Sequence, residues 1–599
     1  MRFRNLGVLM ALGVVTASLA VASASASTAK SAAYIAPAPA FGSDLGALPG
    51  ADWPTVGGNL WNQGYSTLNQ INDTNVKDLK QVWTQSIHGI SSVELEGGPT
   101  IYRGIMYAAT GEGDMAALDA RTGEIIWKVP FTGKPSNPYG ISAQRGVAIG
   151  EGQVYLAQND GKLWAYDQKT GHVNWKSSIV LPQDIQLSPP TPVYYDGKVF
   201  LGSHGGGDAG ARGSFSAYDA KTGLRVWRFF IVPQPGELGS GSWPAGTNEW
   251  MVGGGASWTW SAIDPATHTV YFTGGNAGPY SGRGPGDNLF TSSVVALDTN
   301  TGAYKWHFQA IHHDLWDYDC PATPLLFDAT IKGAMRHGIA VTCKTGYAYL
   351  LDRNTGAALV GIKERHVPGG PNSVFQNASK TQPIPVGDAF APQVADPKVW
   401  AGPAPDGKPY KLGRLFSAYG PNEFTAVAPG LIGGGDWPRM SYDVKRQLLF
   451  VCAQASVAAF KAIPAADGKA SAAGFNAYQG GVPKSYKGQL SGTFTALDVA
   501  TNKIVWQKKY TDGTTCYSGS IATAGNLALV GTSDGTFRAY SSATGQELWS
   551  KKLPYPIAAP PVTYSVNGKQ YISIYDGGQT ALLGGAKTKK DLLVTFALN

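Results

Sequence analysis

Helical periodicity is nearly absent from this 599-residue chain: apolar residues do not recur at the i, i+3, i+4 spacing that marks an amphipathic helix, which excludes a fold built on packed helices. Long apolar runs are also missing. Beyond the run from Leu6 to Ala20, none approaches the length of a membrane span, so no transmembrane anchor is expected in the mature protein. Cysteine is scarce. The four residues (Cys320, Cys343, Cys452 and Cys516) allow three full pairings and are compatible with an oxidising compartment. None stands in a Cys-x-x-Cys-His arrangement, so the chain carries no covalent c-type haem. A strong charge of one sign is lacking too. The net charge is +7, and removing residues 1–26 takes Arg2, Arg4 and no acid, leaving +5. Nothing in that balance argues for nucleic acid, and Lys587-Thr-Lys-Lys590 reads as a solvated turn.

What the chain has is glycine (77), proline (38) and a repeat. Six times an Ala, then Leu or Tyr, then Asp or Ser leads through a short turn to a Trp eight residues after the third position. The third positions are Asp119, Asp167, Asp219, Asp298, Asp498 and Ser541, and the Trp residues are Trp127, Trp175, Trp227, Trp306, Trp506 and Trp549. Five of the turns carry Thr-Gly; the sixth has Thr501-Asn502, and both Gly and Asn accept positive φ. A seventh copy, Leu350-Leu-Asp352-Arg-Asn-Thr-Gly356, has Val360 where Trp would stand. Short runs of β-formers flank each copy, as in Ile105-Met-Tyr-Ala and Lys198-Val-Phe-Leu.

A single small sheet cannot bury its faces, so such units must pack face to face, and closing a ring removes exposed edges. A large aromatic at one repeated position suits a wedge between neighbouring sheets. The expected fold is therefore all-β, an eight-bladed β-propeller of four-stranded antiparallel sheets. The divergent stretch Met440–Ala453 is counted as the eighth unit, and the last strands are expected to close the ring with one from the N-terminal side. Residues 1–26, with Arg2, Arg4, an apolar run and Ala24-Ser-Ala26, have the form of a secretory signal, which makes the mature protein exported and periplasmic. Residues 27–599 are expected to form one domain, with loop insertions near 230–250, 361–420 and 461–490.

The functional signal lies where repetition breaks: Gly253-Gly-Gly-Ala-Ser-Trp258-Thr-Trp260, Gly274-Gly-Asn276, His312-His-Asp-Leu-Trp316-Asp317-Tyr-Asp319-Cys-Pro and Cys343-Lys344. Deviant segments at comparable positions of a ring converge near its axis, bringing a flat aromatic, an amide, two carboxylates and a cation together. These segments resemble the pyrroloquinoline quinone (PQQ) dehydrogenases of alcohols and glucose. The likeness runs from Asp52-Trp-Pro-Thr-Val-Gly-Gly to the terminal strand, with His313-Asp-Leu-Trp-Asp317-Tyr-Asp319 its most specific part. The resemblance implies Trp258 stacked on PQQ, Lys344 on the quinone oxygens, Asp436 in place of an Asn touching the quinone, and Glu96, Arg145 and Ser188 around the cofactor's edges. It also implies a metal held by Asp208, Asn276, Asp317 and Asp319, with Asp317 as general base.

A planar anionic quinone suits an aromatic cover with Arg145 and Lys344 balancing charge. The hard oxygen donors suit Ca2+. Asp319 is an extra carboxylate that resembles the lanthanide-using branch, although the Trp-Asp-x-Asp pattern also resembles the glucose-oxidising branch. Ser142-Ala-Gln-Arg145 excludes the vicinal disulfide of the methanol-oxidising members, and Asp208 is one methylene shorter than the usual Glu. His312 and His313 read as orienting neighbouring backbone rather than binding metal. Cys320 follows Asp319 and Cys343 precedes Lys344, so a bond between them would brace the site. The implied activity is oxidation of an alcohol or sugar hydroxyl, with electrons leaving to a separate acceptor such as a soluble cytochrome c. A non-catalytic propeller scaffold or binding protein of the envelope is the alternative, and it has no need for the Asp317, Asp319, Asn276 and Lys344 set.

Overall fold

The computed structural model describes residues 35–88, 94–134, 143–181, 189–203, 211–278, 283–367, 377–398, 400, 402–455, 458–462, 478–481, 491–577 and 591–599. The expected signal segment, Ser142, Ser188, Asp208 and most of the 461–490 insertion lie outside these residues. Eight antiparallel sheets follow one another along the chain and are numbered here as blades in chain order: 100–129, 148–178, 193–230, 262–309, 325–352, 441–510, 520–552 and 562–597. Blade 8 takes its outermost strand, Lys80–His88, from the N-terminal side, where it pairs antiparallel with Asp591–Ala597. The expected ring closure is therefore present. Blade 5 has three strands plus an isolated bridge between Leu351 and Ala358.

The number of blades matches the expectation, but their allocation along the chain does not. Leu448–Ala455 pairs with Ser491–Asp498, so the Met440–Ala453 stretch is the inner half of the blade that carries Trp506 and not a unit of its own. A long insertion between these two strands separates the halves in sequence. The eighth unit is instead the closing blade, which carries no motif. The 361–420 insertion also holds more than loop: Ile362–His366 pairs with Thr381–Pro385, and Lys411–Leu412 joins a small sheet with Thr425–Val427.

The repeated motif works through three local interactions. Its Ala lies directly across the sheet from its Trp in all six copies, as in Ala117–Trp127 and Ala217–Trp227, which leaves room for the indole. Its Asp closes the turn: Asp219 Oδ1 accepts the backbone N–H groups of Lys221 at 3.1 Å and Thr222 at 2.8 Å. Its Trp then covers the turn glycine of the next blade. A Cβ at Gly302 would stand 2.7 Å from the Trp227 ring, and Gly302 has φ +71°, so the position requires glycine on both counts. The indole N–H of Trp227 donates to Thr299 O at 3.2 Å, and that of Trp306 to Arg353 O at 3.0 Å.

The two exceptions in the repeat are neighbours in space. Blade 5 has Val360 in place of Trp, and the turn of blade 6 that such a Trp would cover has Asn502 in place of Gly. Asn502 Nδ2 donates to Ala348 O of blade 5 at 3.0 Å and to Val386 O at 3.2 Å, so an amide makes the inter-blade bond that an indole makes elsewhere.

Replacing Trp227 by Ala is expected to cost about 3–5 kcal/mol, the usual range for a buried Trp. Gly302→Ala should lower the melting temperature as well, and Val360→Ala much less, in a calorimetric comparison of the three variants.

Candidate active site

Two recurrent positions in the blades supply the predicted residues. Loops leading into the innermost strand carry Glu96 of blade 1, Arg145 of blade 2, Trp258 of blade 4, Asp317 and Asp319 of blade 5, and Asp436 of blade 6. Hairpins between the second and third strands carry Asn276 of blade 4 and Lys344 of blade 5. Of the predicted set, Ser188 and Asp208 lie outside the described residues; the other eight form one continuous series of neighbours.

The series begins where Leu95 pairs with Gln144, which sets Glu96 beside Arg145. Arg145 Nε lies 2.5 Å from Glu96 Oε2, and its guanidinium stands 4.5 Å from the centre of the Trp258 ring. Trp258 packs on a buried cluster of Ile432, Trp437 and Tyr517. Asp436 accepts from the Tyr517 hydroxyl at 2.6 Å and the Trp437 backbone N–H at 3.0 Å. The run Gly433–Gly435 brings Asp436 toward Lys344: Gly434 N–H donates to Lys344 O at 2.8 Å, and a Cβ at Gly433 would stand 2.3 Å from Lys344 Cβ. Lys344 Nζ lies 2.9 Å from Asp317 Oδ1 and 2.9 Å from Asp319 Oδ1. A Cβ at Gly275 would stand 3.5 Å from Asp319 Oδ2, which puts the Asn276 hairpin against the same carboxylate.

The charged groups of this series are all buried, so their charges act at close range with little screening. Burial alone would lower the Lys344 pKa, but Asp317, Asp319 and Asp436 outweigh it and hold the ammonium well above its ordinary range. Asp436 moves the other way. Burial pushes it up to about 6, against the pull of Lys344 and the Tyr517 hydrogen bond.

The loop that presents Asp317 is shaped by a carboxylate and a histidine. Asp314 accepts the backbone N–H groups of Trp316 at 2.9 Å and Tyr318 at 2.8 Å, curling the chain so that Asp317 takes φ +64°. His313 Nδ1 donates to Gly286 O at 2.6 Å, and burial with the nearby Arg283 charge lowers it to about 3, so the imidazole is neutral. His312 Nδ1 meets Gln309 Oε1 at 2.8 Å, and its backbone N–H donates to Gln382 Oε1 at 2.9 Å. Of the three possible cysteine pairings, the structure has Cys320–Cys343 and Cys452–Cys516. The first joins the residue after Asp319 to the residue before Lys344.

Asp319 Oδ2 is buried and accepts no hydrogen bond among the described residues, and three carboxylates face one ammonium. Among the described residues no three His, Cys, Asp or Glu side chains cluster as a metal site by themselves. The available set is Asp317 and Asp319 with the Asn276 amide, all oxygen donors, and it leaves positions for other ligands. An unpaired carboxylate oxygen amid excess negative charge fits Ca2+ or a lanthanide ion. The half-buried Trp258 beside Arg145 fits a flat anion.

Two residues were missed by the sequence reading. Asp314 shapes the loop, and its only signal was membership of the His-Asp-Leu-Trp run. Tyr517 sits before the innermost strand of blade 7, where a position count along the blades would have found it.

Residues 53–494 and 491–572 match the family model described as PQQ: glucose/ethanol/alcohol dehydrogenase, beta-propeller domain. The dehydrogenase subunit of alcohol dehydrogenase (quinone) from Gluconobacter oxydans (strain 621H) is 32% identical over 618 residues, covering 93% of this chain and 75% of that protein. Among solved structures, a quinohemoprotein alcohol dehydrogenase from Pseudomonas putida HK5 aligns with TM-score 0.77 at 28% identity, over 94% of this chain and 82% of that one. A europium-containing methanol dehydrogenase aligns with TM-score 0.73 at 25% identity, over 92% of this chain and 98% of that one.

The His313 imidazole has its folded pKa below the free value of 6.5, so the stability it contributes is present above pH 6.5 and is lost as pH falls toward about 3. His313→Gln should remove this dependence. Acid unfolding followed by circular dichroism should begin at lower pH in the variant, with a gain of up to about 5 kcal/mol at the acid end.

Proposed function

This chain belongs to the PQQ-dependent glucose/ethanol/alcohol dehydrogenase β-propeller family and is an oxidoreductase, and from that premise we propose that it oxidises an alcohol or sugar hydroxyl to a carbonyl with Asp317 as general base. The observation that carries the proposal is the buried Lys344 ammonium shared at 2.9 Å by Asp317 and Asp319, with Asp319 Oδ2 left without a hydrogen bond among the described residues.

In this reading Trp258 would cover one face of PQQ, while Glu96, Arg145 and Ser188 would hold its charged edges and Lys344 and Asp436 its quinone edge. Asp208, Asn276, Asp317 and Asp319 would hold Ca2+ or a lanthanide ion. When bound, the quinone supplies a hydride acceptor and the ion supplies Lewis-acid polarisation. The protein's own work is to orient and to move a proton. Asp317 takes the hydroxyl proton at its carboxylate as the substrate carbon is oxidised. Lys344 holds Asp317 in place through a charge-assisted hydrogen bond at 2.9 Å. The burial of the cluster excludes bulk water from that transfer. A scaffold has no use for three buried carboxylates around one ammonium.

The remaining assignments concern the setting of the reaction. In this reading the electrons leave to a separate acceptor such as a soluble cytochrome c. Two disulfides and the Arg2/Arg4 apolar leader support export to the periplasm as a single propeller domain of residues 27–599. No described helix is long and apolar enough to cross a membrane.

Purified protein given PQQ and either Ca2+ or La3+ should reduce a dye when an alcohol or sugar is added, and a chelator should abolish the rate. Asp317→Ala should keep the melting temperature and lower turnover about 10²–10⁴-fold. Unchanged turnover would remove Asp317 as the base, and no quinone uptake by the wild type would overturn the proposal.

A further inference from the structure

Blade 7 also delivers a side chain to the site. Tyr517 precedes the innermost strand Ser520–Thr523 by three residues, as Arg145 precedes Ala148 in blade 2. It is fully buried, and its ring meets Trp437 edge to face with centroids 3.9 Å apart, in the cluster that backs Trp258. Its neighbour Cys516 is bonded to Cys452 of blade 6, so the backbone beside Tyr517 is covalently tied to the blade that carries Asp436.

Asp436 faces Lys344, Tyr517, Asp319 and Glu96. Lys344 is the single cation in that group, and Asp317 and Asp319 already share it. A third carboxylate that turned onto the ammonium would draw it away from the other two. The Tyr517 hydroxyl gives Asp436 Oδ2 a different partner at 2.6 Å, and the Trp437 N–H fixes Oδ1 at 3.0 Å. With both oxygens bound, the carboxylate has a defined direction in a site where an unsatisfied buried oxygen would be costly.

We propose that Tyr517 is a positioning residue for the quinone slot: by donating to Asp436 it keeps that carboxylate off Lys344, so that cofactor binding depends on Tyr517 and Asp436 as one unit. The inference rests on the quinone reading of the site. It differs from that reading in naming a pair, since an Asn at position 436 would carry no charge to draw Lys344 away.

The test is a double-mutant cycle on the full chain with Ca2+ present. PQQ is titrated into wild type, Tyr517→Phe, Asp436→Asn and the double variant; quenching of tryptophan fluorescence gives each Kd, and melting temperatures report the fold. Tyr517→Phe should melt near the wild type and bind PQQ about tenfold or more weakly, the loss expected for a hydrogen bond to a charged group. In the Asp436→Asn background the same change should alter Kd less than about threefold, because the charge that the hydroxyl restrains is gone. Wild-type affinity in Tyr517→Phe, or an equal loss in both backgrounds, would overturn the proposal while leaving quinone binding intact. Absence of quenching in the wild type would overturn the quinone reading and this inference with it.

Discussion

An ammonium with one carboxylate on each side at 2.9 Å and a third facing it carries two negative charges too many for a buried space. Isolated acids in a protein interior respond by taking up protons, and Asp436 is already pushed up to about 6. Such a cluster persists only where surrounding structure leaves the groups no other arrangement. Here that restraint is built into the backbone. The Cys320–Cys343 bond joins the chain positions next to Asp319 and Lys344, and Lys344 N–H donates to Asp319 O at 3.1 Å. The acid–base spacing is thus set by bonds that need no ligand, and a cation entering beside Asp319 Oδ2 would meet donors already in place.

The ring supplies this restraint because each blade is fixed to the next. The indole-over-glycine joint recurs around most of it, including Trp83 of the closing blade over Gly123 of blade 1. A ring joined in this way cannot open at one blade without straining the others, so loops on its axis inherit the rigidity of the whole. That explains why side chains from six different blades can meet without a dedicated core of their own. The site is an assembly of loop residues, yet most of its loops lead into strands of blades that the Trp joints hold in place.

Much of the fold was legible because its determinants are local. The Ala, the turn Asp, the Gly and the Trp lie within a dozen residues of one another, and each acts across one hairpin or one blade junction. What escaped were relations between distant segments. Blade 6 could not be read because an insertion parts its second and third strands, and the closing blade could not be read because it draws on both ends of the chain. Val360 and Asn502 were each visible as departures from the repeat, but only their adjacency shows that one compensates for the other. The candidate site was legible for a different reason: the His-Asp-Leu-Trp-Asp-Tyr-Asp run and the Trp258–Asn276 spacing are specific in themselves. Tyr517 and Asp314 escaped because a tyrosine or an aspartate outside a motif has no signal until its partner is known.

The charge count also bears on why blade 6 presents an acid. An amide at position 436 would leave Lys344 balanced against Asp317 and Asp319 alone, an excess of one negative charge. The carboxylate raises that excess to two, and a trivalent ion offsets the larger value better than a divalent one. In the proposed site Asp319 and Asp436 would therefore act in the same direction, one by offering a buried oxygen to the ion and the other through the field at Lys344. Their effects are coupled through that single ammonium. Any change that moves Lys344 alters the electrostatic environment of all three acids at once, and so the hydrogen bond from Tyr517 to Asp436 matters beyond the two residues it joins.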